Sequence, residues 1–109
     1  MKQLNWFCLF LFVFSIINYP NPVNFSSNQT VTFEASADTA TGATLYIYDM
    51  GAKLVNTQAI TIPAGTSTPT TWNGYSLTNT RVGNGIYLYQ IISSANERLG
   101  RGKIWVINQ

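Results

Sequence analysis

The chain has 109 residues, 46% of them hydrophobic, and six Lys or Arg against four Asp or Glu give a net charge of +2. That length holds one domain, and so small a charge excludes the broad basic field that nucleic acid requires. Three Trp, six Tyr and six Phe argue against disorder, and the single cysteine, Cys8, allows no intrachain disulfide, so packing and backbone hydrogen bonds carry the stability.

The elements follow in chain order. Lys2 and the α-amino group make a short positive end, and residues 6–17 read WFCLFLFVFSII. Twelve residues are too few to cross about 30 Å of hydrocarbon as a helix. They fit the apolar core of a signal peptide, with Val13 and Ser15 at the −3 and −1 positions of a cut before Ile16. Cys8 precedes most of the apolar run, which does not match a lipoprotein anchor. The expected division is 1–17 as a signal peptide or apolar N-terminal segment and 18–109 as the folded domain. A secreted or cell-surface protein follows, touching membrane only through its leader.

Tyr19-Pro20-Asn21-Pro22 forms a turn that no helix or central strand contains. Residues 30–37 alternate, with Val31, Phe33 and Ala35 on one face and Thr32, Glu34 and Ser36 on the other. After a loop at 38–43, Leu45 and Ile47 belong to one strand and Leu54 or Val55 to the next. The turn between them is Asp49-Met50-Gly51-Ala52, where Gly51 is expected to supply a positive φ. A short strand at 59–62 ends at Pro63, a polar connection fills 64–70, and Thr71-Trp72 starts another strand that stops at Asn73-Gly74. A loop at 75–84 leads into 85–93, GIYLYQIIS, where Ile86, Leu88 and Ile91 oppose Tyr87, Tyr89 and Gln90. Residues 94–97 turn, and 98–107 return with Ile104, Val106 and Trp105 packing on both sides. About seven short strands at roughly ten-residue spacing, with no helix, predict an all-β antiparallel sandwich of immunoglobulin or fibronectin III type.

Chemistry-bearing residues are sparse. There is no histidine, and Glu34, Asp38, Asp49 and Glu97 fall on separate strands and loops, so neither a carboxylate pair nor a metal set is predicted. Gly83-Asn84-Gly85 and Gly100-Arg101-Gly102 complete no phosphate-loop pattern and open no helix. The expectation is no catalysis, no cofactor and no metal. The candidate contact residues are Tyr46, Tyr48, Tyr87 and Tyr89, expected to line one sheet face, and Arg98, Arg101 and Lys103 near Trp105. Tyrosines offer contact area at low entropic cost, though cross-strand tyrosine pairs also stabilise sheets. The three cations suit an acidic partner, or else blunt a sheet edge against aggregation. Trp72 is expected to plug one end of the core.

Trp72-Asn73-Gly74, followed by Arg81-Val82-Gly83-Asn84-Gly85-Ile86-Tyr87-Leu88-Tyr89, resembles the signature of the immunoglobulin-like domain of flagellar hook-capping proteins. Ile47-Tyr48-Asp49 with Lys53-Leu54-Val55 is similar to that family's hairpin. Tyr19-Pro20-Asn21-Pro22 resembles the opening of the related C-terminal sorting domains of type IX secretion, and Gly102-Lys103-Ile104 their final strand. Ala52 stands where the hairpin glycine is usual, and Asn79 where glycine is common. The resemblance covers 19–107 and implies a non-catalytic module for secretion sorting or surface attachment, whose partner is a protein of the secretion or surface machinery. Two alternatives stand beside it. One is a self-assembling subunit that inserts its apolar N-terminal segment into a neighbour's sheet. The other is a glycan- or protein-binding module using the tyrosine face.

Overall fold

A computed structural model describes residues 14–65 and 68–109. Among the described residues, seven strands form two antiparallel sheets. They are β1 (Phe14–Tyr19), β2 (Val31–Ala37), β3 (Thr41–Tyr48), β4 (Leu54–Ile62), β5 (Thr68–Trp72), β6 (Gly85–Ser93) and β7 (Arg98–Val106). One sheet has the order β1-β2-β5 and the other β4-β3-β6-β7.

Period-two patterning decides which sides meet, because alternate side chains on a strand point to opposite faces. On β2, Val31, Phe33, Ala35 and Ala37 are buried; on β3, Ala43, Leu45 and Ile47 are. Ile91 of β6, with Ile104 and Val106 of β7, completes a continuous apolar layer between the sheets. Trp72 closes one end, its ring edge-on to buried Phe25 at 5.3 Å.

Besides β3 and β5, which begin at Thr41 and Thr68 inside the expected connections 38–43 and 64–70, the structure departs from the sequence expectation at four main places. Residues 14–17, placed with the leader, stand in β1, which pairs with β2 from Phe14↔Ala37 to Tyr19↔Thr32, and Ile16 packs against the core. The rest of the expected leader, 1–13, lies outside the described residues. The second departure is at 54–62, a single strand rather than two. Asn56 and Gln58 look like a break, but their side chains bind neighbouring backbone: Asn56 Nδ2 donates to Tyr75 O at 2.6 Å and Gln58 Nε2 to Thr71 O at 3.2 Å.

Third, β6 has the opposite phase at its start. Tyr89 is buried with Ile91 and Ser93, while Leu88 and Gln90 face outward beside Lys103 and Arg101. Tyr89 can be a core residue because its ring packs edge-on against Phe33 at 4.9 Å and its hydroxyl donates to Asn18 Oδ1 at 3.1 Å. Gly102, opposite it, leaves the space: a Cβ there would lie 2.7 Å from the tyrosine ring. Fourth, the positive φ of the β3–β4 turn falls on Ala52, at 66°, and not on Gly51. The turn is held by Asp49, whose Oδ1 accepts from the Gly51 and Lys53 amides, both at 2.9 Å. Trp105 lies on the side of β7 opposite Ile104 and Val106, where it is 47% exposed.

Candidate functional site

Sheet register builds a mixed aromatic and cationic surface on the outer face of the four-stranded sheet. Non-core residues of β3, β6 and β7 align in rows: Tyr48, Leu88 and Lys103 in one, Tyr46, Gln90 and Arg101 in the next. Tyr46 and Tyr48 stack with centroids 6.3 Å apart and rings 17° from parallel, and Gln90 Nε2 donates to the Tyr48 hydroxyl at 3.3 Å. Tyr48, Leu88, Gln90, Arg98, Arg101 and Lys103 line a recess of about 630 Å³. No carboxylate lines it, and Arg98, Arg101 and Lys103 are exposed with no hydrogen bond or ion pair to their side chains among the described residues.

The edge of β7 beside this face is unequally covered. Trp105 N donates to Asn21 Oδ1 at 2.8 Å, and Lys103 O accepts from Asn18 Nδ2 at 3.1 Å and Asn21 Nδ2 at 3.4 Å. Val23 adds backbone bonds to Trp105 O at 2.8 Å and from Ile107 N at 3.0 Å. Two asparagine side chains and one residue therefore stand in for a further strand over 103–107. Toward Arg101 no such partner is found among the described residues.

The four tyrosines named from sequence do not share a face. Tyr46 and Tyr48 lie outward, whereas Tyr89 is buried and Tyr87 sets its ring edge-on to Trp72 at 6.2 Å. The Tyr87 hydroxyl donates to Gly83 O at 2.9 Å. Burial holds the Tyr89 hydroxyl above the usual tyrosine pKa, and burial, followed by the charge of Asp49, does the same for Tyr87. Arg98, Arg101 and Lys103 are brought together as expected, on one strand. Leu88 and Gln90, which share the recess with them, were not among the sequence candidates: Leu88 was set on the core side, and Gln90, set outward, was not read as a contact residue. Asn18 and Asn21, which cover the edge, carried no periodic signal at all.

The Trp72-Asn73-Gly74 turn is a structural unit. Trp72 Nε1 donates to Tyr75 O at 2.9 Å, Asn73 Oδ1 accepts from Tyr75 N at 3.1 Å, and Gly74 has a φ of 85°. A Cβ on Gly74 would lie 2.5 Å from the Phe25 ring. Among the described residues no group of three or more potential metal ligands assembles, and no helix is long and apolar enough to cross a membrane.

Against solved structures, the chain is similar to dimeric latent PorU from Porphyromonas gingivalis, with a TM-score of 0.75 and 24% identity over 90% of this chain and 10% of that one. PorZ of Porphyromonas gingivalis, described as an essential surface component of the type-IX secretion system, matches with a TM-score of 0.62 and 21% identity over 86% of this chain and 12% of that one. FlgD from P. aeruginosa matches with a TM-score of 0.60 and 16% identity, over 83% of this chain and 69% of that one. These likenesses establish the immunoglobulin-like sandwich, and the chain spans only about a tenth of PorU and of PorZ. No curated protein matches the sequence significantly. The family model described as the secretion system C-terminal sorting domain matches residues 18–104, from the edge-covering asparagine to the last buried strand, and the chain belongs to that family.

Proposed function

We propose that this sandwich is a non-catalytic sorting tail that directs export through a type IX secretion apparatus and leaves its polypeptide secreted or on the cell surface. The observation that carries this reading is the family match over 18–104, nearly the whole described domain. The fold shared with PorU and PorZ supports it. So does a surface whose working parts are strand edges and a side-chain recess, which suit recognition rather than turnover. The expected partner is a protein of the export or anchoring machinery. Attachment at the surface, beyond export, is part of the same proposal.

The test is a reporter carrying its own signal peptide, fused ahead of residues 14–109 so that β1 is kept, and expressed in a type IX-competent cell. The reporter is expected outside the outer membrane with the domain and in the periplasm without it. A folded fusion that stays in the periplasm overturns the reading. In the described part of the apolar segment, Phe14–Ile17 pair within their own chain, so no observation here favours insertion into a neighbour.

A further inference from the structure

Two unsatisfied features lie side by side on β7. One is the group of exposed cations, Arg98, Arg101 and Lys103, with no carboxylate in the recess they border. The other is the strand edge itself. Lys103 and Trp105 turn their backbone groups away from β6 and have them taken up by Asn18, Asn21 and Val23. Alternation points the N–H and C=O of Arg101 the same way, where no described residue meets them. An open edge of this kind is a template for an extended backbone.

We propose that the Arg98–Lys103 part of β7, with the recess beside it, is a docking groove for a short extended acidic peptide segment. The guest pairs its backbone with the open edge at Arg101 and sets alternate carboxylates toward the cations. Residues two apart on a strand repeat at about 6.6–6.8 Å on one face, so a guest with acids at every second position meets Arg101 and Lys103 in register. Leu88 and Tyr48, one and two strands further in on the row of Lys103, give an apolar floor to any longer side chain. The asparagine cover limits the guest to a few residues. Three cations are too few for a nucleic acid, and a glycan has no use for the unmet backbone N–H and C=O of Arg101, which favour a peptide.

This proposal supplies the partner chemistry for the sorting reading, but the two fail separately, since the reporter fusion follows export and the following titration follows binding. The full chain, ¹⁵N-labelled, is titrated with the octapeptide Thr-Glu-Val-Glu-Val-Glu-Val-Thr. Amide signals of Leu99, Arg101 and Gln90 are expected to move. Replacing each Glu of the probe by Gln, or making R101Q with K103Q in the chain, should weaken binding about tenfold or more, the worth of lost charge-assisted contacts. Lys53→Glu, in a different recess, should leave affinity unchanged. N-methylation of alternate probe amides should abolish binding if the edge is used. Equal binding by the Gln probe, by the N-methylated probe or by the double variant overturns the proposal. So does a heparin-derived oligosaccharide that moves the same amides while the peptide moves none.

Discussion

At Ala52 a side chain occupies a backbone conformation that glycine adopts at no steric cost: its φ is 66°, while Gly51 beside it is not in that region. Ala52→Gly should stabilise the domain by about 0.5–1 kcal/mol despite the added freedom of the unfolded chain, measured as a rise in denaturant midpoint at constant m-value. No rise, or a fall, would mean the turn is not strained. Gly74 is the converse case. Gly74→Ala adds a Cβ both at φ 85° and 2.5 Å from Phe25, a ring buried on one side by Trp72. A loss of about 2 kcal/mol or more is expected from overpacking and backbone strain together, and a loss under about half that would show Phe25 gives way easily. Sequence showed that a turn exists at 49–52. It did not show which residue takes the positive φ, because that depends on how the Asp49 carboxylate grips the two following amides.

The same division holds for whole strands. Strand β2, buried on one face, was plain from alternation, and so was the 45–47 part of β3, whereas 41–43 read as loop. Strand β6 was found but phased wrongly: Tyr89 counts as polar in a pattern yet lies in the core, where Asn18 satisfies its hydroxyl and Gly102 makes room. That inversion hid Leu88, set on the core side, whereas Gln90 was set outward, where it lies, and the cations of β7 were legible as a cluster. Strand β1 was hidden for another reason. Phe14–Ile17 are apolar enough to read as the end of a leader, and only long-range pairing with β2 distinguishes the two. If β1 is integral, Ile16→Ala should cost about 1–2 kcal/mol as a partly buried aliphatic, read by urea unfolding of the full chain. A change within error would make β1 an ornament of the sheet.

Over the whole molecule, stability should depend little on pH through the neutral range, because there is no histidine to titrate there. The alkaline limb is set by tyrosine. Tyr89 is held above the usual value by burial, so above about pH 10 the unfolded chain loses a proton that the folded one keeps. Stability is therefore complete below that pH and falls as pH rises through the folded-state value. Tyr89→Phe should flatten this limb while lowering stability near neutrality by about 1 kcal/mol for the lost bond to Asn18. Chemical unfolding at a series of pH values separates the two, and an unchanged alkaline slope would move the cause elsewhere. The half-sealed border of β7 has a consequence at this scale too. A guest can begin to pair near Arg101, but it runs within two residues into amide groups already taken by Asn18 and Asn21. Growth along that side stops almost where it starts, so the border can hold a brief visitor without seeding a fibre.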